Sequence, residues 1–135
     1  MAYSLNFQIR HSYDTRKAGI SLPVVLQSRE QAALCEAKVD TGAQLCLFQR
    51  EVGEHLGLEI ERGERVVVSS LGGPVVVYGH FVTLNVFESE FDSVVYFAHD
   101  YGLPRNLLGR EGWLQKVRLA VVDYDAELYL SPYEV

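Results

Sequence analysis

Short runs of apolar and β-branched residues, separated by turn-forming residues, are the feature that most restricts the fold of this chain. Nine such runs recur along its 135 residues: Ile20–Leu26, Ala32–Val39, Leu45–Phe48, Val66–Ser70, Val75–Tyr78, Phe81–Phe87, Ser93–Phe97, Val117–Val122 and Glu127–Leu130. Glycine, asparagine, aspartate or proline lies between most of them. Many short strands with turn signals between them predict an all-β fold, either an antiparallel sandwich or a closed barrel.

Helical patterns are confined to two short segments. Gln49–Leu56 predicts a helix that ends at Gly57, because glycine suits the position just after a helix C-terminus. Arg110–Lys116 predicts a second short helix that begins after Gly109. The N-terminal segment Ser4–Ile9 is expected to form a further strand.

The composition is typical of one globular domain and argues against several functions. The chain is 48% hydrophobic and 22% charged, with a net charge of −6, and it contains no dense basic patch. We therefore expect no nucleic-acid partner. No apolar run approaches the roughly 20 residues that span a bilayer, and the first residues lack the pattern of a secretory signal. These features predict a cytoplasmic protein with no membrane partner.

The cysteines and histidines predict no metal site and no cofactor. Cys35 and Cys46 do not form a Cys-x-x-Cys pair. They are interpreted as two buried reduced thiols, with a disulfide between them as the open alternative. The four histidines, His11, His55, His80 and His99, are scattered without metal-ligand spacing.

A glycine-rich turn lies between two valine-rich runs, Val66–Ser70 and Val75–Tyr78. Its sequence is Leu71-Gly72-Gly73-Pro74, in which the two glycines supply positive φ for a tight hairpin turn and Pro74 shapes the returning strand. An ordinary hairpin is one interpretation. The other is a mobile hairpin that closes over a ligand, because glycine at the tip lets backbone approach a substrate closely.

The segment Val39-Asp40-Thr41-Gly42-Ala43 occurs once in the chain. A carboxylate, a hydroxyl and a residue without a side chain follow one another there, as a two-carboxylate hydrolase requires around its aspartate. The triplet alone is weak evidence, since it is expected in roughly 2% of random chains of this length. Asp14-Thr15 precedes an arginine rather than a glycine, so it is not a second copy. A β domain in which the triplet is merely a tight turn is the plain alternative.

The order of three elements resembles that of the retroviral-type aspartic proteases, the retropepsins, and of their bacterial single-domain relatives. The elements are the aspartate loop within Ala33–Phe48, the hairpin of Val66–Tyr78, and a Leu-Leu-Gly-Arg segment within Leu107–Leu114. The resemblance covers roughly residues 20–131. It implies a retropepsin-like barrel over 20–131 with a glycine-tipped flap, an N-terminal extension at 1–19 and a C-terminal tail at 132–135.

The resemblance also implies a dimeric aspartic endopeptidase that hydrolyses peptide bonds with a water activated by Asp40 of each subunit. Carboxylates about 3 Å apart do not both ionise easily, so such a pair shares a proton. One motif per chain then requires a two-fold homodimer. In this family the terminal strands interleave, and Ser4–Ile9 and Glu127–Leu130 are the candidates. A non-catalytic retropepsin-fold module for dimerisation or peptide binding is the alternative.

The resemblance assigns roles to individual residues. Asp40 is the catalytic residue, supported by Thr41 and Gly42; Gly42, Ala43, Gln44, Leu71, Gly72 and Gly73 bind the peptide substrate; and Leu108, Gly109 and Arg110 are structural. Gly42 is expected to donate a hydrogen bond to the Asp40 carboxylate, and Thr41 to bond across to the partner loop. Apolar lining is expected from Leu45, Leu71, Leu107 or Tyr78.

Gln44 departs from the family pattern. Retroviral enzymes usually carry an aspartate at this position, which pairs with the arginine of the Gly-Arg segment. Arg110 therefore lacks that partner, and Glu111 or an acid from the second subunit is expected to neutralise it.

Overall fold

The computed structural model describes residues 1–134, which fold mainly as β-strands. In chain order the strands are β1 (Ile9–Ser12), β2 (Ser21–Ser28), β3 (Gln31–Val39), β4 (Leu47–Phe48), β5 (Glu64–Ser70), β6 (Gly73–Val86), β7 (Ser89–Ala98), β8 (Asn106–Leu108), β9 (Val117–Val122) and β10 (Glu127–Pro132). Within these residues one α-helix, α1, spans Arg50–His55, and 3-10 turns lie at Ile60–Arg62, Leu114–Lys116 and Asp123–Asp125. No helix of the described part is long and apolar enough to cross a membrane.

Six of the strands close into a barrel. Their hydrogen-bonded order is β2-β3-β8-β4-β7-β6, and β6 returns to β2 through the pairs Val25↔Asn85 and Gln27↔Thr83. β5 lies outside this ring and pairs with the first half of β6 as a hairpin. The prediction of an all-β protein with a closed barrel is confirmed.

The strand β6 is a single element where two strands were predicted. The runs Val75–Tyr78 and Phe81–Phe87 are continuous, because Gly79 between them stays extended and pairs with Tyr96 of β7. A Cβ atom at Gly79 would lie 2.8 Å from the Tyr96 ring. The glycine therefore allows a close approach of ring to backbone and does not form a turn.

The core fills the barrel and continues under a second, three-stranded sheet of order β1-β10-β9. Alternate residues of β2, namely Leu22, Val24 and Leu26, are fully buried, as expected for a strand with one face on the core. Trp113 is also fully buried. Leu128 and Leu130 of β10 join the same hydrophobic cluster, so the terminal sheet is packed onto the barrel.

The N-terminal strand begins later than predicted. Its pairing with β10 runs from Ile9↔Leu130 to Ser12↔Glu127, so the strand predicted at Ser4–Ile9 is wrong except for its last residue. The ladder cannot continue toward residue 7 because β10 ends at Pro132, which has no N–H to donate. The N–H of Gln8 instead donates to the side-chain oxygen of Ser131 at 2.7 Å. The domain limits 1–19, 20–131 and 132–135 stay a prediction, and residue 135 lies outside the described residues.

The two predicted helices have different outcomes. The first is confirmed as α1, and it is followed by Gly57 at φ +77°. The second, Arg110–Lys116, is wrong apart from the 3-10 turn at its end. Gly112 adopts φ +99°, which a right-handed helix does not allow. Glu111 forms an isolated β-bridge with Leu45 instead.

Candidate active site

Asp40 follows β3 directly, where β3 runs parallel to β8. Its amide N–H donates to the carbonyl oxygen of Leu108 at 3.0 Å, and its own carbonyl accepts from the N–H of Ala43 at 3.1 Å. The N–H of Gly42 donates to Oδ1 of Asp40 at 3.0 Å. The loop backbone therefore fixes both the position of Asp40 and the orientation of its carboxylate. Asp40 is half-buried, while Thr41 and Gly42 are exposed.

The Leu-Leu-Gly-Arg segment packs against this loop and is hydrogen-bonded to it. Gly109 packs so closely that a Cβ atom there would lie 2.1 Å from the carbonyl oxygen of Leu45 and 2.9 Å from that of Ala43. The N–H of Arg110 donates to the Ala43 carbonyl at 2.9 Å. Any side chain at position 109 would push the two segments apart, so glycine is required there.

Cys46 lies in the same junction. The N–H of Gly109 donates to its Sγ at 3.3 Å, and burial raises the pKa of the thiol to about 11. Cys46 is buried and Cys35 is half-buried, so the prediction of two buried thiols is correct only for Cys46. Both are free, which excludes the disulfide between them in this structure.

Gln44 forms a hydrogen bond with Glu111 at the place where the resemblance implied an ion pair between an aspartate and Arg110. Its side-chain amide donates to the carboxylate of Glu111, and the N–H of Glu111 donates to the Gln44 carbonyl at 2.9 Å. Arg110 is exposed and forms no ion pair with any residue in the range 1–134. The expectation that Glu111 neutralises Arg110 is therefore wrong within one chain, because Gln44 occupies that carboxylate.

A groove of about 1140 Å³ runs between the aspartate loop and the β5–β6 hairpin. Its lining includes most of the predicted substrate-binding residues, Gly42, Ala43, Gln44, Leu71 and Gly72, together with Asp40. Gly73 does not line it, and neither does Tyr78, which is only 9% exposed and belongs to the barrel core. Leu45 and Leu107 do line the groove. Most of the predicted site residues are thus brought together around one cleft.

The hairpin tip has the two-residue loop Leu71-Gly72, because Ser70 pairs with Gly73. Only one of the two glycines uses positive φ, namely Gly73 at +109°. Its carbonyl accepts a hydrogen bond from the Ser70 hydroxyl at 2.7 Å. Leu71 is fully exposed at the tip. The tip therefore presents an apolar side chain over the mouth of the groove.

A protein-family model described as aspartyl protease matches residues 29–111, which is more than half of the chain. The chain belongs to the aspartyl protease family. The matched range contains Asp40, the hairpin and the Gly109-Arg110 step, and it leaves out β1, β2, β9 and β10. No curated protein matches the chain.

Solved structures show the same fold for this chain. The matching structures, 212 chains in all, include one described as EIAV protease complexed with the inhibitor HBY-793. The two chains are 18% identical, with a TM-score of 0.57, and the alignment covers 74% of this chain and 88% of the EIAV chain. The retropepsin-like fold inferred from the order of the three elements is therefore confirmed.

The loop between β7 and β8 is the part of the groove that sequence reasoning missed. Asp100, Tyr101, Leu103, Pro104 and Arg105 all line the groove. The signal lay in the position of the loop, immediately before the Leu-Leu-Gly-Arg segment. A segment that leads into a strand beside the aspartate must pass along the edge of the cleft.

A polar network on α1 holds this loop in place. The guanidinium of Arg50 donates to Glu61 at 2.9 Å and to the carbonyl of His99 at 2.9 Å, and it lies 5.6 Å from the ring centroid of Tyr101. The Tyr101 hydroxyl donates to Glu54 at 2.6 Å. The hydrogen bond from Arg50 is the main cause that lowers the pKa of Glu61 to about 2, and the same pairing raises the pKa of Arg50. One wall of the groove is thereby tied to the helix.

No group of three or more histidine, cysteine, aspartate or glutamate side chains in the described residues could hold a metal ion. The groove instead offers the carboxylates of Asp40 and Asp100, exposed main chain and mostly apolar side chains. That donor set suits an extended peptide and acid–base chemistry at Asp40.

Proposed function

We propose that the protein is a homodimeric aspartic endopeptidase in which Asp40 of each of two subunits activates a water molecule. The observation that carries the proposal is the placement of the Asp40 carboxylate in the lining of a long groove, oriented by the N–H of Gly42. A groove of this size accommodates several residues of an extended chain. Membership of the aspartyl protease family supports the same activity.

The proposed mechanism needs two carboxylates and one shared proton. The ionised Asp40 takes a proton from water, which attacks the scissile carbonyl, while the protonated Asp40 of the second subunit donates a hydrogen bond to the carbonyl oxygen. The tetrahedral intermediate then collapses as a proton passes to the leaving nitrogen. Gly42, Ala43 and Gln44 would hold the substrate main chain, and the tip of the hairpin, with Leu71, Gly72 and Gly73, would close over it as a flap.

The dimer follows from the number of aspartate loops. One Asp-Thr-Gly per chain supplies half of the pair, and a two-fold axis brings the same residue from each subunit together. The exposed Thr41 is available to bond to the loop of the second subunit. Localisation in the cytoplasm remains a prediction from the sequence.

The way the two subunits join is constrained by the terminal sheet. Interleaved terminal strands would require a free edge on β10, but β10 already has β1 on one side and β9 on the other. We therefore place the contact at an outer edge, which means β1 or β9. An edge-to-edge contact would give a continuous six-stranded sheet across the dimer.

The β9 edge suits a second copy better than the β1 edge. β1 has only four residues and carries Arg10, which pairs with Glu127 at 3.3 Å. β9 has six residues and is apolar except for Arg118, whose guanidinium lies 6.0 Å from the ring of Phe7. Exposed strand edges are usually protected by short length, charge or proline. β9 is longer than β1, and its one charged residue, Arg118, lies against the Phe7 ring, so its edge is less protected and is favoured as the interface.

The test is cleavage by the Asp40→Asn variant. This variant should still dimerise but hydrolyse no peptide, whereas Asp14→Asn, which alters the other Asp-Thr dipeptide, should cleave like the parent. Activity should also be favoured at mildly acidic pH, because the carboxylate pair must retain one proton. Cleavage by Asp40→Asn at the parental rate would reject the proposal. A parent dimer that binds peptides without cleaving them would support the non-catalytic alternative instead.

A further inference from the structure

The groove has an uneven distribution of charge. Of the described residues that line it, only three are charged, namely Asp40, Asp100 and Arg105. Most of the other lining side chains are apolar, including Leu47, Val66, Val68 and Val75. A peptide in this groove therefore meets a single cationic side chain in each subunit.

Arg105 is not neutralised by any of the residues 1–134. It is exposed and forms no ion pair with the residues that the structure describes, whereas Asp100 has His99 at 4.0 Å. Gln44, where the retroviral enzymes carry an acid, adds no negative charge to the groove. The guanidinium of Arg105 is therefore free to bind a carboxylate from a substrate, and its planar fork suits that geometry.

The backbone fixes how far Arg105 lies from the chemistry. Arg105 immediately precedes β8 and is three residues before Leu108, whose carbonyl accepts the Asp40 N–H. At roughly 3.3 Å per residue, Arg105 lies about 10 Å along the strand from the level of Asp40. An extended peptide advances by a similar amount per residue. A substrate side chain that contacts Arg105 would thus lie within about three residues of the scissile bond.

We propose that Arg105 selects peptides that carry a glutamate or aspartate within about three residues of the scissile bond. This inference rests on the proposed function and specifies its substrate class. Because a two-fold axis through the Asp40 pair repeats Arg105 at the other end of the groove, the acidic preference occurs on both sides of the bond. The two substrate residues joined by the scissile bond are apolar, matching the mostly apolar lining of the groove.

The first experiment measures kcat/KM for a peptide set with a constant apolar pair at the cleaved bond. Each flanking position carries glutamate, glutamine or lysine in turn. At one position on each side of the bond, kcat/KM should be highest with glutamate, lower with glutamine and lowest with lysine. The glutamate peptide should exceed the glutamine peptide by about 3- to 5-fold, as expected for an exposed ion pair. The difference should shrink as salt is raised from 0.05 to 0.5 M, because salt screens exposed charges.

Two variants assign the preference to its residue. Arg105→Gln should remove the preference for glutamate, and Arg105→Glu should reverse it in favour of lysine. Arg16→Gln, which makes the same change in charge outside the groove, should keep the parental preference. A parental enzyme without an acidic preference, or an Arg105→Glu enzyme that keeps one, would overturn the inference.

A binding measurement separates this inference from the proposed function. Peptides with a reduced, uncleavable central bond can be titrated calorimetrically into Asp40→Asn protein with and without Arg105→Glu. Tighter binding of the glutamate peptide that disappears with Arg105→Glu supports the inference even where the parent cleaves nothing. Equal binding of the glutamate and glutamine peptides counts against it even where the parent is an active protease.

Discussion

Gln44 and Glu111 are joined twice, through a side-chain hydrogen bond and through the Glu111 N–H to the Gln44 carbonyl at 2.9 Å. This pair ties the end of the aspartate loop to the segment after β8. In the retroviral enzymes an aspartate–arginine pair is expected at this place. Here a neutral amide replaces the acid and binds Glu111, so Arg110 forms no ion pair with residues 1–134.

The Gln44→Asp substitution should destabilise the protein at neutral pH. It would set two carboxylates in contact at an exposed site, where such repulsion costs about 0.5–1 kcal/mol. The loss should diminish as the pH falls to 4.5 and below, because protonation of one carboxylate removes the repulsion. Urea denaturation at pH 7.5 and pH 4.5, at one protein concentration, measures both values.

The double variant Gln44→Asp/Glu111→Gln is the control for this prediction. It inverts donor and acceptor and should recover most of the stability lost in the single variant. A single variant that is more stable than the parent would contradict the prediction. That result would mean that Arg110 turns to pair with the new aspartate.

The Gly109→Ala substitution should disrupt the aspartate loop. Its Cβ atom would meet the carbonyl oxygen of Leu45 at 2.1 Å, and backbone cannot move aside as a flexible side chain does. Overpacking of this kind costs about 3 kcal/mol. Activity should fall with it, because the neighbouring carbonyl of Leu108 accepts the Asp40 N–H and would shift with Gly109. Chemical denaturation and peptide cleavage report the two effects.

Gly72→Ala provides the matched control, since the nearest heavy atom to a Cβ atom there is 3.9 Å away. Its φ is not in the left-handed region, so its stability should change by less than about 0.5 kcal/mol. Equal losses for the two alanine variants would show that packing at Gly109 is not the cause.

The strands and the aspartate loop could be predicted from sequence because both depend on local patterns. Alternating apolar residues mark the strands, and Asp40-Thr41-Gly42 is a contiguous motif. The late start of β1 could not be predicted, since it depends on Pro132 of a strand over a hundred residues away. The role of Gly79 likewise depends on the ring of Tyr96, which lies on another strand. The place of the β7–β8 loop beside the groove depends on which strands become neighbours in the sheet.

The Arg50→Gln substitution should raise KM by about 3- to 10-fold with a smaller change in kcat. Arg50 does not itself line the groove, but it contacts the Tyr101 ring and fixes the His99 carbonyl, and so it holds the loop that lines the cleft. A looser loop weakens substrate binding before it alters the chemistry at Asp40. Steady-state kinetics over a range of peptide concentrations separates the two constants. An unchanged KM would contradict the prediction.

The same substitution should reduce the acid sensitivity of folding. Arg50 lowers the pKa of Glu61 to about 2, from an ordinary value of 4.5. A depressed carboxylate pKa contributes stability that is present above pH 4.5 and is lost as the pH falls from 4.5 toward 2. Arg50→Gln should therefore lose less stability than the parent over this range. Denaturation midpoints between pH 2.5 and pH 6 measure this, with Arg105→Gln as a control that keeps the parental slope.

Lysine substitution on β9 should separate the subunits if the dimer pairs through that edge. Val121 and Val122 are 41% and 42% exposed, and a two-fold contact would set a lysine at either position close to its own copy. Like charges across paired strands oppose association, and a lysine on an edge blocks further pairing. Val121→Lys should raise the dimer dissociation constant at least about tenfold, and activity should return at higher protein concentration. Sedimentation velocity measures the dissociation constant, with Ser12→Lys on β1 as the matched control. Dissociation by Ser12→Lys, with Val121→Lys still dimeric, would place the contact on β1 instead.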